Sequence, residues 1–229
     1  MGQAAPAAEP LAELIRSAIV SGELQGGTPV TEKWAAEKYA ISRLTVREVL
    51  KSLIAEGYLV REPYHSAQVR TFNLKEMQDI LDARELLETY AGNRSINATE
   101  ADRDRLKYAL EAYLIAIDEP DLAESSRRHR ELHVAFVGMT GNQRLMRQEE
   151  QLMIDSSMIV AMIDARRDDV DKMKRVHIQL TDAFLTGDQQ LAVQLVREHI
   201  RMVNKAGAEE LARPLAAAGS NGRKPGSDR

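Results

Sequence analysis

The sequence contains no cysteine, few aromatic residues and no long hydrophobic run. Without cysteine the chain can form neither disulfides nor thiolate metal sites, so a transition-metal site must use imidazole and carboxylate groups. The absence also fits a reducing cytoplasm, which is the expected location. The N-terminus lacks a charged segment followed by an apolar one, and the weakly polar run at 153–165 is too short to span a bilayer. We therefore expect neither a signal peptide nor a membrane span.

The sequence also has no large excess of positive or negative charge. The net charge is −4, and the basic and acidic residues balance within residues 1–70. Any affinity for nucleic acid must therefore come from a local patch rather than from the charge of the whole protein. The sequence also contains no P-loop, no GxSxG motif and no glycine-rich dinucleotide fingerprint. The common nucleotide-binding and hydrolase motifs are thus missing.

What the sequence does contain is helical periodicity, whose character changes near residue 72. Before this point we predict three short helices and a β-hairpin with strands at 58–61 and 67–70, a pattern typical of a winged helix-turn-helix domain. After it we predict about six helices with short connections, which indicates an antiparallel helical bundle. The predicted fold class is therefore mainly α. The predicted boundaries are a DNA-binding domain at 9–71, an all-helical domain at 72–212, and flexible tails at 1–8 and 213–229.

Several helix boundaries follow from local signals in the second part. A capping box formed by Thr99 and Asp102 begins the second helix of the bundle. The last three helices are predicted at about 144–165, 168–186 and 188–212.

The segment with the clearest chemistry reads ISRLTVREVLKSLIAEGYLV. Ser42 can cap a helix in which Arg43, Arg47 and Lys51 recur every fourth residue, away from the apolar side. In a helix placed in the major groove, arginine can bind a guanine edge through two hydrogen bonds, and Ser42 and Thr45 suit phosphates or base edges. A solvated charged face explains the same spacing equally well.

Four of the five histidines fall on apolar stripes of the predicted bundle helices. His129 and His133 share one helix, and His177 and His199 lie on two others, each within a 4-3-4-3 spacing of apolar residues. A single histidine in such a stripe is usually an ordinary core residue. Four together offer a nitrogen cage that suits Zn²⁺, Ni²⁺, Cu²⁺ or Co²⁺. The pattern favours a divalent transition-metal site, with Zn²⁺ as the expected ion and Ni²⁺ as an alternative.

Residues 11–69 resemble the N-terminal domain of GntR-family transcriptional regulators. The resemblance is carried by LAELIRSAIVSGEL, by Glu32 and above all by SRLTVREVLKSLIAEGYL. It implies that DNA is contacted by Lys33, Ser42, Arg43, Thr45 and Arg47. The chain departs from the family at Leu44, where a small polar residue is common, and at Ser66, where the wing usually has glycine. His65, beside that position in the wing, is a further candidate DNA contact.

From residue 74 onward the chain is similar to the FCD ligand-binding domain of the FadR-like branch. The similarity is carried by RELLE, HRELHVAFVGMTGNQRL, VHIQLTDAFLTGD and VREHI. It implies a divalent metal held by one aspartate and three histidines, and a small carboxylate effector bound with its help. His133, His177 and His199 match the histidines, whereas His129 stands where the aspartate is expected. A neutral imidazole in that place would leave the metal more positive and favour an anionic effector.

Arg84 matches an arginine that lies near the effector pocket in this family, where a guanidinium could clamp a carboxylate. The alternative is a surface arginine between Asp82 and Glu85.

The main competing class is a metalloenzyme, because HRELH has two histidines at metal-binding spacing. Glu131, however, lies about 200° around the helix from His129, so it points away from the histidine face and cannot act as the general base of an HExxH site. We therefore do not expect an enzyme.

The sequence predicts a transcriptional regulator that binds an inverted repeat in double-stranded DNA as a homodimer and responds to a small organic or sugar acid. Two alternatives are the same fold with a metal-free effector pocket and a helical-bundle metalloenzyme.

Overall fold

The computed structural model describes residues 5–163 and 170–212 and divides them into a small N-terminal domain and a larger helical domain. The mainly α fold class is confirmed. The predicted tails at 1–4 and 213–229 lie outside the described residues. The first helix begins at Ala5, inside the segment expected to be a tail, and it accommodates Pro10. The start of α1 is rich in alanine, the strongest helix former. The helix therefore begins before the apolar stripe from which it was predicted.

The N-terminal domain contains three helices and a three-stranded antiparallel sheet. The helices are α1 (Ala5–Val20), α2 (Glu32–Tyr39) and α3 (Arg43–Glu56), and the strands are β1 (Pro29–Val30), β2 (Leu59–Val60) and β3 (Ala67–Val69). The predicted hairpin is formed by β2 and β3, with Leu59 opposite Val69. Strand β1 pairs with the other edge of β3 and was not predicted, because two residues are too few to show an alternating pattern.

Helix α3 begins and ends where the sequence indicates. The Ser42 hydroxyl accepts a hydrogen bond from the Thr45 N–H, and Gly57 ends the helix with a φ of 94°. A residue with a side chain rarely adopts this left-handed conformation, so glycine is the favoured residue at this position. The predicted apolar side of α3 is buried, whereas Arg43 and Arg47 are exposed.

The second domain is all-helical, as predicted. Its helices are α4 (Leu74–Arg94), α5 (Glu100–Ala116), α6 (Leu122–Gly138), α7 (Gln143–Met162), α8 (Val170–Thr186) and α9 (Gln189–Ala212), and a single 3₁₀ turn (Ser95–Asn97) follows α4. The capping box of Thr99 and Asp102 is present at the start of α5. The end predicted for the fourth bundle helix, at 165, and the start predicted for the fifth, at 168, lie outside the described residues.

Helices α4 and α9 of the bundle pack closely against each other. A Cβ atom added to Gly92 of α4 would lie 3.3 Å from the Cβ atom of Ala192 of α9, so these two helices are in close contact. The core of this domain is continuous with that of the N-terminal domain, because Leu11 and Ile15 of α1 belong to the same cluster of buried residues. Within 5–163 and 170–212, no helix is both long and apolar enough to cross a membrane.

Polar contacts also join the two domains. The Arg70 guanidinium, directly after β3, donates a 2.8 Å hydrogen bond to the Asp155 carboxylate of α7. The Gln151 side chain of α7 donates to the Glu56 carbonyl, at the end of α3. Helix α7 therefore contacts the last residue of α3 and also Arg70, which directly follows the β2–β3 hairpin that forms the wing.

Candidate functional site

The exposed side of α3 carries the residues predicted to contact DNA. Arg43 is exposed, the Arg47 side chain is 51% exposed, and the hydroxyl groups of Ser42 and Thr45 lie 2.9 Å apart at the start of the helix. Lys33 of α2 extends into solvent, with its amino group 4.0 Å from Glu37. The structure thus exposes cationic groups of α2 and α3 together with two hydroxyls, which is the chemistry that DNA recognition requires.

Arg47 is held by a partner that the sequence analysis did not identify. Its Nε and Nη2 groups donate to the two oxygens of Glu32, at 2.9 and 3.0 Å. The hydrogen bond from Arg47 lowers the pKa of Glu32 below its ordinary value. The pair is open to solvent, so it fixes the direction of the guanidinium without removing it from the surface.

The wing, formed by β2, β3 and the residues between them, has one residue in a left-handed backbone conformation. Among the described residues of the wing, the left-handed backbone conformation falls on Tyr64, with a φ of 65°, and not on Ser66. The Tyr64 ring is fully exposed, and Nδ1 of His65 lies 2.9 Å from the Pro63 carbonyl oxygen. His65 is therefore at the tip of the wing, in solvent, as a DNA-contacting residue would be.

Leu44 is also exposed, at 69%, although it is a large apolar residue in the first turn of α3. It takes no part in the core of the domain.

The four histidines of the helical domain form one buried cluster. His129 and His133 come from α6, His177 from α8 and His199 from α9, and none is more than 8% exposed. Nε2 of His129 lies 3.1 Å from Nε2 of His177 and 3.2 Å from Nε2 of His133. One ligand atom from each of the four rings lies within 4.8 Å of the others. The 4-3-4-3 stripes therefore place the four imidazoles together, as predicted.

Hydrogen bonds turn two of these rings toward the centre. Nδ1 of His177 donates to the Met173 carbonyl at 2.8 Å, which leaves the Nε2 lone pair facing the cluster. Nδ1 of His133 lies 3.1 Å from Glu88, and a proton on this nitrogen leaves its Nε2 lone pair facing His129. Metal-binding histidines typically donate from one ring nitrogen to an acceptor of this kind and bind the metal through the other nitrogen.

The donor set fits a divalent transition metal. Neither ring nitrogen of His199 has a hydrogen-bond partner within the described part of the chain, although both are buried. Nε2 of His129 lies within hydrogen-bond distance of Nε2 of both His133 and His177, so nitrogens from two helices converge in this buried site. An ion that accepts the lone pairs would satisfy all of these nitrogens, and four imidazoles suit Zn²⁺ or Ni²⁺.

Burial favours the neutral form of three of the imidazoles. It lowers the pKa of His133 below its ordinary value and the pKa of His177 to about 3. Burial, together with the neighbouring His177, also lowers the pKa of His199. The neutral form of imidazole is the form that binds metals.

Arg84 is buried, so the alternative of a surface arginine is wrong. Its Nε and Nη2 donate to Oε1 of Glu88 at 3.1 and 2.7 Å, and its Nη1 donates to Ser156 at 2.7 Å. Nη2 is also 3.0 Å from Nδ1 of His133, and Glu149 lies 3.6 Å from Nε. A charged network of α4 and α7 thus borders the histidine cluster through His133.

The two glutamates of this network differ in protonation. Burial pushes the pKa of Glu88 upward, but His133 and Arg84 outweigh this effect and hold the pKa below its ordinary value. Burial and the charge of Glu88 raise the pKa of Glu149 well above its ordinary value. The surroundings therefore favour the ionised form of Glu88 and the neutral form of Glu149, both beside the Arg84 guanidinium.

The sequence analysis did not identify Glu88, Glu149 or Ser156 as site residues. A signal was present: Met77, Leu81, Arg84, Glu88 and Ala91 follow the same 4-3-4-3 spacing as the histidine stripes, and the structure buries all of them. The prediction for Glu131 is confirmed, because it is 43% exposed and bonded to Arg127 and Arg128 on the outside of α6.

Comparison with known proteins identifies both domains. Residues 7–69 match the gntR family of bacterial regulatory proteins, and residues 79–202 match the FCD domain. The chain belongs to the FadR-like branch of the GntR family.

Relatives support this assignment. The chain is 29% identical over 196 residues to the HTH-type transcriptional repressor GlaR of Escherichia coli (strain K12), a match that covers 81% of this chain and 89% of the relative. It is 26% identical over 192 residues to the gluconate operon transcriptional repressor of Bacillus subtilis (strain 168), covering 81% and 78%.

Two solved structures share the fold. A GntR protein from Rhodococcus sp. RHA1 superposes with a TM-score of 0.72 at 18% identity, covering 89% of this chain and 97% of that one. E. coli McbR/YncC gives a TM-score of 0.68 at 18% identity, covering 92% and 99%. The GntR-family chain is therefore a DNA-binding transcriptional regulator rather than an enzyme.

Proposed function

We propose that this regulator changes its affinity for operator DNA when a small carboxylate binds at or near a divalent metal held by His129, His133, His177 and His199. The observation that carries the proposal is the convergence of four buried imidazoles, one of which, His199, has no hydrogen-bond partner within residues 5–163 and 170–212. Within the described residues, every buried side-chain atom that lacks a partner belongs to the helical domain. A bound ion and ligand would give these groups partners.

The charge of the site favours an anionic effector. Four neutral imidazoles leave the charge of a divalent ion uncompensated, and Arg84 adds a buried cation beside His133. When bound, the metal supplies a Lewis-acid centre that attracts a carboxylate oxygen. Two relatives are named as gluconate operon repressors, and gluconate is a sugar acid, which supports the same effector class.

Arg84 contributes to effector binding mainly through its charge. The N–H groups of its guanidinium already donate to Glu88 and Ser156. Direct hydrogen bonds from Arg84 to the effector would therefore require a bond between Arg84 and Glu88 to break. The proximity of Arg84 to His133 supports its place in the site.

DNA binding is assigned to the exposed groups of the N-terminal domain. Arg43 and Arg47 bind base edges, Ser42, Thr45 and Lys33 bind phosphates or base edges, and His65 binds from the wing. A winged helix reads one half-site, so we propose a homodimer on an inverted repeat. Light scattering of the protein with and without a duplex selected from a random-sequence library tests this: two chains per duplex are expected, and one chain per duplex contradicts it.

Metal analysis of purified protein tests the metal site. The wild type is expected to retain a transition metal, and the double variant His177→Ala/His199→Ala to lose it. His65→Ala, which removes a histidine outside the cluster, is the matched control and keeps the metal. Equal metal content in the double variant and the wild type would show that the ion binds elsewhere.

A thermal-stability screen tests the effector. Organic and sugar acids are added to Zn²⁺-loaded protein and to chelator-treated protein, because a ligand of the native state raises the melting temperature. The expected result is stabilisation of the loaded protein by an acid that also changes its affinity for the selected duplex. Stabilisation of both forms equally would instead favour a metal-free pocket.

A further inference from the structure

Helix α7 presents residues to both functional regions. Glu149 and Ser156 face the charged network next to the histidine cluster, whereas Gln151 and Asp155 bond to the N-terminal domain. Residues 155 and 156 are neighbours in the chain. Because successive residues of a helix point about 100° apart, these two side chains reach different partners from one short stretch of rigid backbone.

At the inner end, α7 is linked to a predicted metal ligand through Arg84 and Glu88. Ser156 accepts a 2.7 Å hydrogen bond from Nη1 of Arg84. Nη2 of Arg84 donates to Oε1 of Glu88, which lies 3.1 Å from Nδ1 of His133. Both Ser156 and Arg84 are fully buried. A shift of the Arg84 guanidinium therefore removes or strains a bond to α7 that water cannot replace.

At the outer end, α7 meets the C-terminal end of the recognition helix α3. Gln151 donates to the Glu56 carbonyl at 3.2 Å, and Asp155 accepts from Arg70 at 2.8 Å. Both contacts surround Gly57: a Cβ atom there would lie 3.5 Å from the Gln151 amide, 3.8 Å from Arg70 and 3.9 Å from Asp155. The residue that ends α3 is thus enclosed by groups of α7 and of the wing.

The ion pair with Arg70 offsets only part of the cost of burying the Asp155 carboxylate. Burial raises the pKa of Asp155 above its ordinary value although Arg70 acts in the opposite direction. A carboxyl group whose pKa is raised by folding destabilises the folded state when it is ionised, and this cost is present above the raised pKa. Directional ion pairs of this kind fix a geometry, whereas the apolar contact of α1 with the bundle is non-directional.

We propose that Gln151 and Asp155 are positioning residues for operator binding, and that α7 transmits changes at Arg84 and Ser156 to the recognition helix through them. The two domains then form a coupled system in which a change in the buried network alters the placement of α3. This coupling uses only residues of the protein and requires neither metal nor effector.

A double-mutant cycle on operator affinity tests the coupling. Ser156→Ala breaks the inner contact and Asp155→Asn weakens the outer one, and each is measured alone and combined on the duplex selected by the wild-type protein. We expect Ser156→Ala to change the dissociation constant at least about threefold in the wild-type background and by much less in the Asp155→Asn background. Equal effects in both backgrounds, or no effect of Ser156→Ala, overturn the proposal.

Controls come from the exposed side of the same helix. Glu150→Gln matches Asp155→Asn, and Gln148→Ala matches Gln151→Ala, because both control residues are exposed on α7. Gln151→Ala is expected to change operator affinity without changing the melting temperature, and Gln148→Ala to change neither. Since the Gln151 side chain is exposed, this comparison stays informative if Ser156→Ala fails to fold. Equal affinities of Gln151→Ala and Gln148→Ala contradict the positioning role.

All variants are assayed as purified, without added metal or effector. The test therefore depends only on DNA binding by the family, and its failure is separate from a failure of the proposed metal and effector site.

Discussion

Two arginine–glutamate pairs in this protein have the same chemistry and opposite surroundings. In the N-terminal domain, Arg47 donates to Glu32 through Nε and Nη2, with side chains 51% and 29% exposed. In the helical domain, Arg84 donates to Glu88 through the same two groups, with side chains 1% and 0% exposed. The residue types and donor atoms match, and the main difference between the pairs is their exposure to solvent.

The comparison shows how one kind of ion pair can serve two purposes. Opening the exposed pair costs little because water solvates both partners, so Arg47 can exchange Glu32 for a base edge when DNA binds. Opening the buried pair leaves charges in a dry core, so Arg84 and Glu88 stay together unless another charged group enters. We propose that the first pair keeps Arg47 available for DNA and that the second makes the metal and effector site sensitive to a charged ligand.

The largest expected effect comes from breaking the buried pair. Glu88→Ala leaves Arg84 without its carboxylate, and we expect the free energy of unfolding to fall by about 3–5 kcal/mol. Urea denaturation measures this change. Glu131→Ala, which removes an exposed ion-paired glutamate, is the control and should cost less than about 1 kcal/mol. Similar losses of unfolding free energy in the two variants would show that burial does not decide the cost of removing an ion-paired glutamate.

Glu88→Gln tests the charge of the buried pair separately, because it keeps the shape of the side chain and removes its charge. Since Glu88 lies 3.1 Å from Nδ1 of His133, we expect the affinity for Zn²⁺ to fall about 10- to 100-fold. Competition with a chromophoric chelator measures the affinity. Glu131→Gln should bind Zn²⁺ like the wild type, and unchanged affinity in Glu88→Gln would show that Glu88 does not orient the ligand.

Breaking the exposed pair from the arginine side should affect DNA binding and not the fold. Arg47→Ala is expected to weaken binding to the selected duplex about 10- to 100-fold, because one two-pronged base contact is lost. The melting temperature should stay within about 3 °C of the wild type, as is usual for exposed residues. Arg144→Ala, an exposed arginine of the helical domain, should bind DNA normally. Retained sequence-specific binding by Arg47→Ala would argue against α3 as the reading helix.

The smallest effect is expected when the exposed pair loses its glutamate. Glu32→Gln should shift the melting temperature by less than about 2 °C, in contrast to the change at Glu88. Differential scanning fluorimetry of both variants side by side makes the comparison. A large loss of stability in Glu32→Gln would mean that solvent does not decide the behaviour of these pairs.

Much of the candidate site was predictable from the sequence because it lies on regular helices. The 4-3-4-3 spacing that places His129 and His133 on one face also places His177 and His199 inward, and helical geometry then brings the rings together. Ser42 and Gly57 set the ends of α3 through local backbone chemistry. Patterns of this kind depend only on neighbours in the chain.

The remaining features depend on contacts between distant parts of the chain. Arg84 was given a surface position as an alternative because charged residues are rarely buried, and its burial requires Glu88 and Ser156 from two different helices. The contact of Arg70 with Asp155 joins residues of separate domains and has no local signature. Strand β1 exists only because β3 offers it an edge. Polar residues on an apolar stripe are the one sequence signal that would have identified more of the site.

We propose that the buried histidine cluster holds a divalent transition metal. Isothermal titration of Zn²⁺ into chelator-treated wild-type protein tests it most directly, with His177→Ala/His199→Ala as the comparison. We predict one high-affinity site per chain in the wild type and none in the double variant. Absence of a high-affinity site in the wild type, or an unchanged one in the double variant, would contradict the claim.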